Sequence, residues 1–531
     1  MGYGYAIPVT LPQIADLAGV SRPAAANWPK RYPDSFPEAL VETQSGSLYD
    51  LDEVAQWLWE SGRITEPLDP FLTFLIVADS LRGNVSVSEM VAGLIAILIY
   101  FEAVNRGLST VTLPIDLNAQ RAPTDESSED VGYLLSIWKQ IADEVADSLP
   151  EQLGSSLWDD IALLIRKGEA ATVRRLFHAL GEYELFSDFD GQAIELFEEM
   201  MRRYYAEDRS RSEYSTPPEL GCLMSRLVEP VGPRLLDPCV GSGGLLLSTS
   251  QSALELGILL EVDGFDVDVS ISKITAARFW IYDVPATIET KDALVENIDQ
   301  LYSYDTVVAD PPYGMANWAD RTSYTDQKWI YGPPPARSAD TAWLQLVAEA
   351  LTAGGKGVVA LPPGATFRGG AEGAIREAMV EDGVVEAVIA LPGRLRSDTA
   401  VQTTLWVLKS PELRENVRQP ILLVDATSMG TSGRSKTTLE ESEIDLIVEI
   451  MKEYRTSGSV SEPHRTLAVA MPIEELVDGN LSPQRYLVQA EQSHESLIHE
   501  LTGLRTEVID LARNVEIAVR DLTSSLGDRH E

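Results

Sequence analysis

The sequence predicts an α/β fold behind a mostly helical leading half, on three observations. From about residue 210, short apolar strand-like runs alternate with helical stretches, the pattern of a largely parallel sheet covered by helices. Residues 67–190 instead space their apolar side chains at threes and fours. The chain has 531 residues, too many for one ordinary core, so two to four domains are expected. The changes of texture divide it at 1–66, 67–195, 196–470 and 471–531.

Composition narrows the class. Hydrophobic residues make up 44 % and charged residues 23 %, ordinary for a globular chain. The longest apolar run, residues 90–101, falls short of the roughly 20 residues of a membrane span and reads as a buried helix. No basic segment followed by an apolar one opens the chain, so no signal peptide is expected, and a cytoplasmic protein is. Cys222 and Cys239 cannot make a disulfide framework. The five histidines lie outside every motif below, so no metal site is expected. The formal charge of −40 opposes binding to nucleic acid, because Lys and Arg supply most non-specific affinity for phosphates. It fits either an acidic, solubility-driven surface or a partner that brings the basic surface, and the two are compatible.

The first 66 residues read as a small separate unit. Residues 11–18 form a short helical pattern, Gly19-Val20-Ser21 a turn with Ser21 as helix cap, and residues 22–28 a second helix. Helix, Gly-containing turn and helix make a helix-turn-helix, and residues 47–50 lead into a third helix over 51–61. The unit resembles winged-helix modules of the excisionase and MerR type. Its candidate recognition segment carries Arg22, Asn27, Lys30 and Arg31 and no acid, although the rest of the unit is acidic. DNA binding and a docking or structural role both fit.

Further on, strands are expected at 234–236, at a segment ending at Asp266, and at 305–309, 357–361, 384–391 and 403–408. The tail carries a heptad seam, Leu497, Leu501, Leu504, Val508, Leu511, Val515, Ala518 and Leu522. One such helix cannot bury its seam alone. It packs on another part of the chain or, the preferred reading, on a partner.

Three segments carry chemistry. Asp237-Pro238-Cys239-Val240-Gly241-Ser242-Gly243-Gly244 follows a strand and opens a helix. Glycines let backbone approach a ligand, and a helix start offers free N–H groups. About 25 residues on, Gly264-Phe265-Asp266-Val267-Asp268 ends a strand in an acid that could hold ribose hydroxyls or cap a helix. The third, Asp310-Pro311-Pro312-Tyr313-Gly314, closes a buried strand. Prolines lack N–H donors and stiffen the turn, which leaves the Pro311 carbonyl able to accept a hydrogen bond beside the Asp310 carboxylate. Two acceptors suit an exocyclic amine, and the Tyr313 ring gives a base a face to stack on.

These segments resemble those of the amino-methyltransferases, whose catalytic motif is (Asn/Asp/Ser)-Pro-Pro-(Tyr/Phe/Trp). The resemblance implies a Rossmann-like domain, S-adenosylmethionine as cofactor, and methyl transfer to N6 of an adenine flipped from double-stranded DNA. It implies Asp310, Pro311, Pro312 and Tyr313 as catalytic residues. For the cofactor it implies Glu213, Tyr214, Ser215, Thr216, Pro217 and Pro218 near the methionine end, then Asp237, Cys239, Val240, Gly241, Ser242 and Gly243, with Asp266, and with Asp292 near the adenine. Segments at 329–334, 339–344, 361–368 and 391–399, with 78–83 upstream and 480–486 downstream, look like the modification subunit of type I restriction–modification systems. In that family a separate specificity subunit reads the DNA, so the C-terminal helix is expected to dock on such a subunit, and a restriction subunit can join. Type I modification subunits commonly carry Asn-Pro-Pro-Phe. This chain has Asp310 and Tyr313, forms used by other adenine methyltransferases, and its helix-turn-helix is not part of the usual subunit. The rival functions are an RNA or protein-glutamine methyltransferase, which share the acceptor-proline motif, and a non-catalytic DNA-binding scaffold or regulator.

Overall fold

The structure is a computed structural model that describes residues 8–43, 46–65, 85–108, 128–150, 157–167, 192–207, 215–295, 303–318, 329–396, 399–410, 419–433 and 436–491, with Ala78, Leu153, Arg505, Val508 and Leu511. Contacts divide the chain into two compact units, Met1–Thr216 with Gly232–Asp299, and Pro217–Val231 with Gln300–Glu531.

The first unit opens with β1 (Pro8–Thr10), α1 (Leu11–Leu17), α2 (Arg22–Ala26), α3 (Trp28–Arg31), the antiparallel pair β2 (Ala39–Thr43) and β3 (Gly46–Asp50), and α4 (Leu51–Glu60). Thr10 starts α1 through a capping box with Gln13, and Gly19 takes the left-handed φ of 63° that turns the chain into α2. The second helix is shorter than the sequence suggests. Pro29 cannot donate to the carbonyl of Ala25, so the helix stops at Ala26 and restarts as α3 with the proline in its first turn. Ile14, Trp28, Phe36, Val54, Trp57 and Leu58 form a core of their own here. Phe36 meets Trp57 edge-on at 4.8 Å, and the Arg63 guanidinium lies 4.3 Å from the Trp57 ring centroid.

Among the described residues the helices α5 (Val87–Asn105), α6 (Ser128–Val145), α7 (Leu157–Lys167) and α8 (Gln192–Glu207) follow. A capping box from Ser86 to Glu89 starts α5, which packs against α7 and α8. By length and composition α5 could cross a membrane, but 67 % of its apolar window is buried inside the protein, as a core helix requires.

After α9 (Pro218–Val228), which belongs to the second unit, the first unit completes with β4 (Arg234–Asp237), α10 (Gly244–Glu255), β5 (Glu261–Asp266), α11 (Val269–Ile281) and β6 (Ala286–Thr290). These strands run parallel in the order β4-β5-β6, so their carboxyl ends share one edge. β6 was not expected, because only Ile288 among its five residues is buried and no apolar alternation results.

The second unit carries β7 (Tyr304–Ala309), α12 (Asp340–Ala350), β8 (Leu351–Leu361), α13 (Ala371–Glu381), β9 (Val385–Gly393), β10 (Gln402–Lys409), β11 (Ile421–Asp425), a two-residue pair β12 (Thr431–Ser432) and β13 (Thr437–Thr438), α14 (Glu441–Ser457), β14 (Ala468–Met471) and α15 (Pro483–Glu491). Its main strands run in the order β14-β11-β9-β10-β8-β7. The expected largely parallel sheet is here mixed. β7–β8 and β9–β11 pair parallel, whereas β10 is antiparallel to both β8 and β9, and β14 to β11. The cause is the connection from β9 to β10, which is too short for the crossover of a dozen or more residues that parallel pairing requires. Of the expected C-terminal heptad helix, Arg505, Val508 and Leu511 fall within the described residues. All three are helical and exposed. The 78–83 segment lies outside the described residues except for Ala78.

Candidate active site

β7 is buried almost throughout, as a parallel strand covered on both faces should be, and it delivers Asp310 to its carboxyl end. Asp310 is 8 % exposed. Pro311 is buried, Pro312 and Tyr313 are half-buried, and Gly314 turns the chain away at a φ of 67°. No hydrogen bond to the Pro311 carbonyl occurs among the described residues. The loop beyond is tied down by Asn317 N–H to the Ala336 carbonyl (2.8 Å), Ala339 N–H to the Met315 carbonyl (3.1 Å) and the Trp318 indole N–H to the Pro335 carbonyl (3.2 Å). The Tyr313 hydroxyl donates to Thr403 Oγ1 on β10 at 3.0 Å, which fixes the ring.

One residue here was not anticipated from sequence. Arg396, between β9 and β10, places Nη1 2.7 Å from each carboxylate oxygen of Asp310. Both side chains are nearly sealed from solvent, at 3 % and 4 % exposure. The same guanidinium stands 5.2 Å from the centroid of the Tyr313 ring. Gly393 makes the hairpin possible: a Cβ there would lie 2.9 Å from the Ala400 carbonyl oxygen. The only local hint was an arginine in a segment already singled out by resemblance, because its partner lies 86 residues earlier.

Elsewhere in this unit the other motif segments lock together. Arg368 Nη1 bonds Asp340 at 2.9 Å, the Gln345 amide donates to the Gly332 carbonyl at 2.9 Å, and Leu481 N–H donates to the Thr366 carbonyl at 2.9 Å. Burial pushes the Asp340 carboxyl up, against the pull of Arg368.

In the first unit the other predicted residues gather at the carboxyl edge of β4, β5 and β6. Asp237 accepts from Cys239 N–H at 3.0 Å at the start of the Gly-rich turn. Gly241 and Gly243 both take left-handed φ values, 51° and 81°. A Cβ on Gly243 would lie 2.8 Å from Thr275 Cγ2, so glycine is required twice over, by dihedral and by space. Val240 and Ser242 are buried and Cys239 half-buried. Asp266 at the end of β5 accepts from Gly241 N–H (3.1 Å) and Asp268 N–H (2.8 Å), so it braces the turn. Burial pushes its carboxyl up, against the backbone N–H groups that lower it. Each of its oxygens can accept a second bond, which a ribose hydroxyl would need. Asp292 follows β6 and accepts from Leu294 N–H at 3.1 Å. Ser215 and Thr216 are half-buried, with the Thr216 carbonyl oxygen 3.9 Å from where a Cβ on Gly244 would stand. Pro217 and Pro218 open α9, while Glu213 and Tyr214 lie outside the described residues. A backbone cradle only glycine can form, with acids after three adjacent strands, fits a nucleoside that carries a positive centre and several hydroxyls.

The turn is held from behind by a charge that sequence reasoning also missed. Arg278 on α11 donates through Nη1 to the Ser242 carbonyl at 2.6 Å, and through Nε and Nη2 to the Glu198 carboxylate on α8 at 2.9 and 2.5 Å. The Tyr282 hydroxyl donates to the same carboxylate at 3.1 Å. The helical region thus braces the cradle directly.

At the N-terminal segment Arg22, Asn27, Lys30 and Arg31 are all exposed on α2, α3 and their junction, and the Asn27 amide donates to the Pro23 carbonyl at 2.8 Å. Among the described residues no cluster of three or more His, Cys, Asp or Glu could hold a metal ion.

The fold is that of the S-adenosylmethionine-dependent methyltransferases. A solved type I restriction–modification system methyltransferase subunit from Streptococcus thermophilus superposes with a TM-score of 0.62 at 21 % identity, covering 78 % of this chain and 98 % of that one. The chain belongs to the N-6 DNA methylase family, whose model matches residues 191–495. Its relatives include the type I restriction enzyme HindI methylase subunit of Haemophilus influenzae, 26 % identical over 64 % of this chain and 79 % of the relative. Another is the MjaIX methylase subunit of Methanocaldococcus jannaschii, 24 % identical over 72 % of this chain and 71 % of the relative. The chain is therefore an adenine-N6 DNA methyltransferase by family, homologous to type I methylase subunits.

Proposed function

We propose that this chain methylates N6 of an adenine flipped out of duplex DNA, as the modification subunit of a type I-like restriction–modification or related defence complex. The observation that carries the reading is the end of β7, where a buried carboxylate and a carbonyl that accepts no hydrogen bond among the described residues adjoin an aromatic ring. When bound, S-adenosylmethionine supplies an electrophilic methyl group on its sulfonium. Glu213 to Pro218, the turn from Asp237 to Gly243, Asp266 and Asp292 would hold it.

The chain's own residues do the rest. The Asp310 carboxylate accepts one amino hydrogen of the base and the Pro311 carbonyl the other. That draws the nitrogen lone pair out of conjugation with the ring and aims it, so alignment supplies much of the catalysis. The same acceptors stabilise the positive charge that develops on N6, and the surplus proton leaves along the bond to Asp310. Pro312 stiffens the turn and Tyr313 stacks on the base. Flipping costs a few kcal/mol, which DNA contacts must offset.

In this reading residues 1–66 add an anchor, with Arg22, Asn27, Lys30 and Arg31 toward phosphates and bases. Residues 67–195 pack through α5 on α11, the helix behind the cofactor cradle, 196–470 perform the chemistry, and 471–531 dock a specificity subunit through the heptad helix. Exposed Val508 and Leu511 on that seam support the docking, and a basic partner would relieve the charge of −40.

The test is methyl transfer from labelled S-adenosylmethionine to mixed-sequence duplex DNA by the chain co-expressed with the products of neighbouring genes. N6-methyladenine that needs a neighbour and disappears in Asp310→Ala supports the proposal. Label entering RNA or protein instead overturns it.

A further inference from the structure

Resting on that reading, we propose that Arg396 stands in for the target adenine in the free chain and fills the base subsite until DNA displaces it. A guanidinium is flat and ends in NH2 donors, as the exocyclic amine of adenine does on its flat ring. Nη1 lies 2.7 Å from both oxygens of Asp310, midway between them, where an amino group seeking that carboxylate must come. The same group sits 5.2 Å from the centroid of the ring on which the base would stack. Arg396 thus meets two of the three groups that the reaction assigns to adenine, the Asp310 carboxylate and the Tyr313 ring.

The substitution has a physical reason. Asp310 is 8 % exposed, and a buried carboxylate without a partner is costly, so an enzyme waiting for substrate needs a cation there. Arginine serves because it is always charged and stacks on aromatic faces. The consequence is competition. Only the fraction of molecules with Arg396 withdrawn can accept a base, so the apparent affinity for DNA is lowered by that fraction.

The experiment is steady-state methylation by the full chain with its co-expressed partners, on a duplex bearing the site mapped from N6-methyladenine in vivo. Arg396→Met keeps most of the bulk and removes every donor. The expected result is a KM for DNA about three- to tenfold lower with kcat not reduced, as removal of a competing state requires. A duplex with an abasic target position, which cannot be methylated there, is used as a competing inhibitor; its inhibition constant should not tighten in the variant, since no base then enters the subsite. Arg396→Lys keeps the charge but loses the planar guanidinium; it should lower KM less, and it serves as the test if the Met variant does not fold. An unchanged or raised KM overturns the inference, as does a fall in kcat or equal tightening on the abasic duplex. A wild-type chain that never methylates DNA removes the parent reading itself, an outcome visible before any variant is made.

Discussion

Asp310 shows what four adjacent residues can disclose. An acid, two prolines and an aromatic ring after an apolar strand announce their geometry locally, because proline fixes the turn and removes donors whatever surrounds it. The structure puts the group where the sequence indicated, at the end of β7. Arg396 could not be found that way. Its meaning lies in a contact spanning 86 residues, which no local pattern encodes. Asp310→Ala should cut methyl transfer by at least about a hundredfold, the usual cost of losing a group that meets developing charge. Affinity for S-adenosylmethionine, measured by calorimetry, should stay within about twofold, since its proposed ligands lie on other strands. A comparable loss of cofactor affinity would move Asp310 from the base subsite to the cofactor site.

Among the elements, strands with continuous apolar runs were legible: β4, β5, β7, β9 and β10 fall where expected, and β8 starts earlier than its apolar end suggested. β14 was missed because a short edge segment resembles a loop, β11 although its apolar run ILLVD is buried between two neighbours, and β6 because one buried residue makes no pattern. The antiparallel direction of β10 within a sheet expected to be largely parallel was not read from the sequence, although connection length decides it. The Gly-rich turn was legible as a cradle, but its bracing by α8 and α11 was not. Gly243→Ala should cost about 1–2 kcal/mol from the left-handed dihedral alone. Contact with Thr275 adds to that, so cofactor binding should weaken by at least about tenfold. Normal cofactor affinity in that variant would separate the turn from the ligand. Arg278→Met should lower stability by about 1–3 kcal/mol on thermal unfolding, as loss of charged hydrogen bonds does. Glu198, 37 % exposed, can be rehydrated, so the loss should fall toward the lower end while the Ser242 side of the cradle loosens. A cofactor affinity unchanged despite lower stability would make this ion pair a brace for the helices alone.

For the whole molecule, charge and the exposed Val508 and Leu511 of the tail make one argument. A chain at −40 repels DNA except where basic residues gather, as around Arg22, Lys30 and Arg31. The isolated chain should therefore bind duplex weakly and lose it between about 50 and 200 mM salt, whereas the complex with a basic partner should persist. Removing everything after Glu491 should abolish co-purification of that partner and leave cofactor affinity intact. Retained co-purification would place the docking surface elsewhere. The seam was legible because heptads are a property of sequence. What it binds was not, because the surface of the proposed partner would belong to another chain. The central claim is tested most directly by single-molecule sequencing of DNA from a host without adenine methylation that expresses the chain and its gene neighbours, beside the same set with Asp310→Ala. The account predicts N6-methyladenine at one recurring sequence in the first and none in the second. Methylation that survives the substitution, or its absence from both, would contradict it.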